Sequence, residues 1–224
     1  MRRIAIVAAL PGELRPLVAG WRHEIRSGVD LWSSQNDGTL YLAGCAGAGR
    51  QAAERVLAQI EEAGPLAAVC SLGWAGALNH KGKPGAVYRV TGVIDEASNE
   101  RYLTAFQGPT CWLLTSTRVA SHREKLVLVA QFGADLVDME ASALARAARE
   151  RKIPFYCVKG VSDGVADVLP DFNRFILPDG RFQLARFVVF AAFRPHCWGA
   201  LIRMGKNARK AAEGFAAALA NALN

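Results

Sequence analysis

Short runs of Val, Ile, Leu and Ala, apolar nearly throughout, recur at residues 3–9, 40–45, 67–72, 86–94, 111–115 and 155–160. A strand with one wet face alternates in polarity, whereas a strand covered on both faces does not. Between several of these runs the spacing changes to that of a helix, at residues 49–63 and at residues 140–151, where Leu144, Ala147 and Ala148 share a face. Buried strands alternating with helices predict an α/β fold, a single domain with a mixed, largely parallel central sheet flanked by helices. No linker, repeat or low-complexity tract divides residues 1–224, although residues 172–224 differ in character from the rest. In such folds ligands sit at the carboxyl ends of the strands, so the residues just after each run are where chemistry is sought.

Composition narrows the classes. Of the 224 residues, 51% are apolar, enough for a sizeable core. No apolar run reaches the roughly 18 residues of a membrane span. The start, MRRIAIVAAL, has the charge and apolar run of a leader but continues into PGELRPL without a small-residue cleavage site, and reads as a first core strand. Cys45, Cys70, Cys111, Cys157 and Cys197 are scattered, which fits free thiols in a reducing, cytoplasmic setting. The four histidines are equally dispersed, so neither a metal nor another cofactor is expected.

The net charge of +7 is concentrated. Residues 172–224 carry eight Lys or Arg against Asp179 and Glu213, which leaves +6 there and an almost neutral remainder. A nucleic-acid partner is therefore not expected. The same segment holds six of the ten phenylalanines, Phe172, Phe175, Phe182, Phe187, Phe190 and Phe193. Its plain reading is a pair of helices, broken near Pro195, that cover the core. The sharper one is peripheral contact with the inner membrane face, aromatic residues in the interface and cations among anionic headgroups.

Two glycine-rich stretches follow predicted strands. In GCAGAGRQAAERV, Gly47, Gly49 and Ala52 fit the dinucleotide-binding spacing, but the next strand ends in CSLGWAG without the acid that would bind a ribose. The modest reading is a turn whose backbone approaches a ligand or a neighbouring chain closely. In LGWAGAL, Gly73 and Gly76 flank Trp74 in what reads as a glycine turn. The acids are more telling. Glu13 follows the first strand, Asp138 and Glu140 straddle Met139 at a helix start, and Asp163 ends the run beginning at Phe155. Glu13 and Asp138 could each simply favour a helix amino terminus; together the acids predict a cleft holding an acid, a base and a hydroxyl ligand.

The segment DMEASALARAARERKIPFYCVKGVSDGVAD resembles the nucleoside phosphorylase and nucleosidase family, above all its methylthioadenosine/S-adenosylhomocysteine nucleosidases. IVAALPGELRPL resembles that family's first strand and acidic loop, and CSLGWAGAL its central glycine turn, so the likeness runs through most of residues 1–170. It implies a nucleoside phosphorylase-like fold, a small nucleoside substrate and a homodimer or higher homo-oligomer. Residue by residue, it implies Asp163 as the acid at purine N7 and Glu13 as the base that activates water. Glu140 would bind the ribose hydroxyls and Met139 would pack on the sugar, with Ser162, Ala75 and Gly76 lining the site. Asp163, shielded by apolar neighbours, would then have the raised pKa such an acid needs.

There are departures. Trp74 stands where many relatives have a small hydroxyl residue that helps hold phosphate, which with Glu13 favours water as nucleophile; Arg15 and Arg50 keep a phosphorylase open, since either could meet phosphate. The aromatic that stacks on the base has no clear counterpart in TSTRVASH, where Val119 is nearest. The expected activity is hydrolytic release of adenine from a 5′-modified adenosine. Three alternatives stand beside it: a phosphorylase, a nucleosidase acting on a lipid-linked adenosine at the membrane, as in the hopanoid-associated branch, and a non-catalytic nucleoside-binding protein.

Overall fold

The computed structural model describes residues 1–223, with side chains through Leu219. Its strands are β1 (Arg2–Ala8), β2 (Arg22–Arg26), β3 (Val29–Asn36), β4 (Thr39–Cys45), β5 (Ala68–Ala77), β6 (Val87–Arg89), β7 (Gly92–Asp95), β8 (Arg101–Leu103), β9 (Trp112–Thr115), β10 (Leu136–Asp138) and β11 (Phe155–Asp163). The helices are α1 (Pro11–Leu14), α2 (Arg50–Glu61), α3 (His122–Phe132), α4 (Ala141–Glu150), α5 (Leu184–Ala192) and α6 (Trp198–Leu223), with 3₁₀ turns at Phe172–Phe175 and Pro195–Cys197.

All eleven strands join one mixed sheet in the order β2-β3-β4-β1-β5-β10-β9-β7-β8, with β11 on β5 and β6 on β11. Five of the ten pairings are parallel, β1 with β4 and β5, β11 with β5, and β9 with β10 and β7. These lie at the centre, where every strand but β10 falls on a predicted apolar run. The hub is β5, whose first part is clasped between β1 and β11 and whose last residues also pair with β10.

Helices seal both faces. Ala52, Ala53, Val56, Leu57 and Ile60 of α2 recur at helical spacing and are buried, as are Leu144, Ala145 and Ala148 of α4; the small alanines let the two helices pack together on the sheet. On the other face α6 buries Ala208, Ala211, Ala212, Phe215 and Leu219. It lies so close that a Cβ on Gly160 of β11 would come within 2.5 Å of the Ala211 methyl.

Two expectations are corrected. Residues 86–94 are not one strand. The chain bends at Val90 and Thr91, whose amides donate to Cys157 and Cys111, so that β6 pairs with β11 and β7 with β9 and β8. LGWAGAL is not a turn either; β5 runs through Gly73 and Gly76 to Ala77. These glycines lack side chains because buried carboxylates lie against the strand there.

Candidate active site

At the end of β1 the chain turns into α1, with Pro11 at its first position, and Glu13 folds back beneath the turn. One carboxylate oxygen accepts the amides of Ala9 and Leu10, both at 2.8 Å, and the other accepts the amide of Trp74 at 2.6 Å. A carboxylate offers about four acceptor positions, so Oε1 keeps one free. Glu13 is 3% exposed. Burial raises its pKa against the lowering pull of the amides and of Lys159. A Cβ on Gly73 would sit 2.6 Å from Oε1. Gly73→Ala is accordingly expected to displace Glu13 and lower stability by about 1–3 kcal/mol, seen as a lower thermal midpoint.

Opposite Gly73 in the β5–β11 register stands Lys159. It is 1% exposed, and its ammonium lies 2.9 Å from Asp138. Burial alone would lower its pKa, but the charge of Asp138 and then of Glu140 outweighs this and holds it above the usual lysine range. Asp138 also accepts the Thr115 hydroxyl at 2.7 Å and the Ala141 amide at 3.0 Å. Thr115 accepts the Ser142 amide at 3.0 Å, Ser142 donates its hydroxyl to Asp95 at 2.7 Å, and Asp95 pairs with Arg50 at 2.6 Å. Burial works to raise Asp95, yet its bonds from Arg50 and Ser142 hold it at about 2. One polar chain thus ties the middle of β11 to the ends of β10, β9 and β7 and to the starts of α4 and α2.

Glu140, the residue that opens α4, is turned across to the glycine loop. Its Oε1 accepts the Gly49 amide at 2.6 Å and its Oε2 the Met139 amide at 3.3 Å. Burial, then the neighbouring Asp138, push its pKa up to about 7. The dinucleotide reading of this loop fails here. The amides of Gly47, Ala48 and Gly49 donate to Ala9, Gly180 and Glu140, which leaves none for a phosphate, and a Cβ on Gly47 would lie 2.4 Å from the Gly180 carbonyl oxygen. The close approach is to another segment of the same chain.

Asp163 ends β11 after an irregularity in its pairing with β5. Its expected apolar shield is absent. Lys125 of α3, itself 3% exposed, pairs with Oδ2, and the Ser162 hydroxyl donates to Oδ1 at 2.6 Å. The Lys125 ammonium also reaches the Gly164 carbonyl at 2.9 Å. An unpartnered carboxylate buried there would be costly, and Lys125 is what compensates it. A Cβ on Gly76 would lie 3.2 Å from both charged atoms, so the glycine gives the pair its place. A cavity opens beside Asp163 and Lys125, lined further by Val119, His122, Phe172 and Asn173.

The remaining sequence candidates divide. Val119 borders this cavity, its main chain held by Asn173 at 2.8 and 3.0 Å. The Ser162 hydroxyl oxygen, whose proton goes to Asp163, lies 3.3 Å from the Ala75 carbonyl oxygen, and Met139 is half-buried beside Glu140. Trp74 offers its amide to Glu13, but its indole packs on Gly12 and donates to the Ala208 carbonyl of α6 at 2.9 Å. Arg15 is exposed, and Arg50 is committed to Asp95. Among the described residues no group of three or more His, Cys, Asp or Glu side chains is placed to hold a metal ion. Sequence reasoning missed Lys125, Lys159 and Phe172. Lys159 had a signal, a charge within the apolar run FYCVKGV, facing the side of the sheet where Glu140 lies.

A phosphorylase superfamily model matches residues 96–188, and the resemblance read from the sequence stands. No curated protein matches the chain significantly in sequence. Among solved structures, the Helicobacter pylori 5′-methylthioadenosine/S-adenosylhomocysteine nucleosidase is similar over 98% of this chain and 97% of its own, at 14% identity and a TM-score of 0.74. Futalosine hydrolase of the same organism matches over 98% and 96%, at 14% identity and a TM-score of 0.73. The Arabidopsis thaliana 5′-methylthioadenosine nucleosidase matches over 87% and 97%, at 18% identity and 0.67. At these identities the likeness is one of fold: a single α/β domain of the nucleoside phosphorylase and nucleosidase kind.

Proposed function

We propose that this chain, built on that fold, hydrolyses the N-glycosidic bond of a purine nucleoside and releases adenine from a 5′-modified adenosine. The observation that carries the reading is the placing of three buried carboxylates, Glu13, Glu140 and Asp163, at the carboxyl ends of β1, β10 and β11, with a buried lysine near each end of the group. Cleavage passes through an oxocarbenium-like state, so the purine leaves with electron density that must be neutralised while water approaches the opposite face of the sugar. Asp163 faces N7, and as the base departs a proton passes from the Lys125 ammonium to the Asp163 carboxylate and on to N7, leaving Lys125 as the neutral amine until it is reprotonated after product release. Glu13 uses its remaining acceptor position on water. Lys159 keeps the Glu13 and Glu140 charges tolerable, and Glu140 accepts the ribose hydroxyls with Met139 beneath the sugar. The pairing of Arg50 with Asp95 engages part of its guanidinium, and the free acceptor position of Glu13 favours water as nucleophile.

Turnover in phosphate-free H₂¹⁸O tests this reading: label is expected in the released sugar. Dependence on phosphate, with a sugar 1-phosphate as product, would overturn it in favour of a phosphorylase. Replacing Lys125 with methionine is expected to slow base release by about tenfold to a hundredfold, with arginine restoring part of the loss.

Glu140 gives a pH dependence. As a hydroxyl acceptor it must be ionised, and its pKa is about 7. Affinity for an unreactive nucleoside analogue is therefore expected to weaken as pH falls through 7. Stability runs the other way: where the folded state holds a proton that the unfolded state has lost, between 4.5 and about 7, this group's contribution declines as pH rises. Calorimetric titration at several pH values checks the first, and melting curves the second.

A second reading, a substrate with a large apolar 5′ substituent, is favoured by Phe172, which borders the cavity and lies 5.2 Å ring to ring from Phe187 of α5.

A further inference from the structure

The helix α5, LARFVVFAA, is the most apolar helix of the described residues, yet none of its nine residues is buried. One side is used. Phe187 and Phe190 pack on Phe175, with ring centroids 5.4 and 5.0 Å apart, and Phe187 also meets Phe182 at 5.4 Å. The other side is bare. Leu184 is 64% exposed, Val188 56%, Val189 60% and Phe193 82%. The surface continues across the Pro195 break, because the Trp198 indole donates to the Ala191 carbonyl at 2.7 Å, and Trp198 and Ile202, one helical turn apart, are both exposed. A contiguous exposed face of this kind marks an interaction surface.

Its rim identifies the partner. Arg174, Arg186, Arg203 and Lys206 are exposed around it, and Arg194 lies over the Phe190 ring at 3.8 Å. Between Asp179 and Glu213 there is no acidic residue, and the acid that approaches the collar, Asp167, is 3.9 Å from Arg203. A second copy would bring the same collar of cations to an isologous interface, where like charges oppose one another. A nucleic acid would meet the cations and gain nothing from Leu184, Val188 and Phe193.

We propose that the α5 face and the start of α6 form a docking surface for an anionic phospholipid bilayer, with Leu184, Val188, Val189, Phe193 and Trp198 entering the interface and the basic rim engaging headgroup phosphates. Among the described residues no helix is long and apolar enough to cross a membrane, so the contact is peripheral. Through the packed side of α5, where Phe187 meets Phe172, the helix that carries this surface adjoins the cavity beside Asp163.

Vesicle flotation tests this without turnover, so its result is independent of the proposed nucleosidase activity. The full chain is expected to float with phosphatidylcholine vesicles containing about 30% phosphatidylglycerol, and at least about tenfold less with phosphatidylcholine alone or in ~0.5 M salt. The triple variant Val188→Ser, Val189→Ser, Phe193→Ser changes exposed positions only; it should keep the wild-type thermal midpoint and lose flotation. Absence of wild-type flotation with anionic vesicles, or unchanged flotation of a folded triple variant, would overturn the proposal. A dimer in analytical ultracentrifugation that the triple variant dissociates, with no flotation, would assign the face to a second copy instead.

Discussion

Substituting asparagine for Asp163 is expected to lower base release by about 10²–10⁴-fold while nucleoside affinity changes by less than about tenfold. The amide is nearly isosteric and can still accept from Lys125 and meet the Ser162 hydroxyl, the two groups that hold the carboxylate. What it cannot do is take up a proton and pass it to a departing purine. The substitution also leaves the buried Lys125 ammonium without its counter-charge, so stability falls as well. The double variant Asp163→Asn, Lys125→Met separates the effects: it should recover much of the thermal midpoint and none of the activity. Single-turnover assays alongside equilibrium binding of a nucleoside distinguish this from a binding protein, in which Asp163→Asn has no turnover to remove.

The largest structural effect is expected at Lys159. Methionine there would leave Asp138 without its ammonium partner and would remove the positive charge that acts on Glu13 and Glu140. Removing one member of a buried pair costs about 3–5 kcal/mol, which for a domain of this size is on the order of 10 °C in thermal midpoint. The sign with pH follows from the carboxylates. Protonation relieves their mutual repulsion once the lysine is gone, so the deficit relative to wild type should be larger at pH 8 than at pH 5.5. Calorimetric melting at the two pH values checks both the size and the trend, and a uniform deficit would show that lost packing dominates.

The central strands other than the three-residue β10 were legible because they are covered on both faces, and the sequence there is apolar without alternation. Helices α2 and α4 were placed within two residues by their buried stripes, and Glu13 fell just after the first strand, Glu140 at a helix start and Asp163 at a strand end, as predicted. The outer strands β2 and β3 were not anticipated, since β2 is exposed throughout and carries no apolar pattern. Their turns did leave a trace, Ser27-Gly28 and Asp37-Gly38, all four with positive φ, the chemistry of tight hairpins. The reading of Gly73 and Gly76 as a turn failed because glycine signals either a bend or an intimate neighbour, and a one-dimensional sequence does not separate the two. Lys125 was invisible for a related reason: on α3 it resembles a solvated helix lysine, and its partner lies 38 residues away.

The measurement that tests the account most directly is chromatographic detection of free adenine after incubation of the wild-type chain and Asp163→Asn with 5′-methylthioadenosine, and with an adenosine carrying a long 5′ alkyl group, in phosphate-free buffer. The account predicts adenine from the wild type with at least one of the two substrates and almost none from the variant. Adenine released equally by both proteins, or by neither from either substrate, would contradict it.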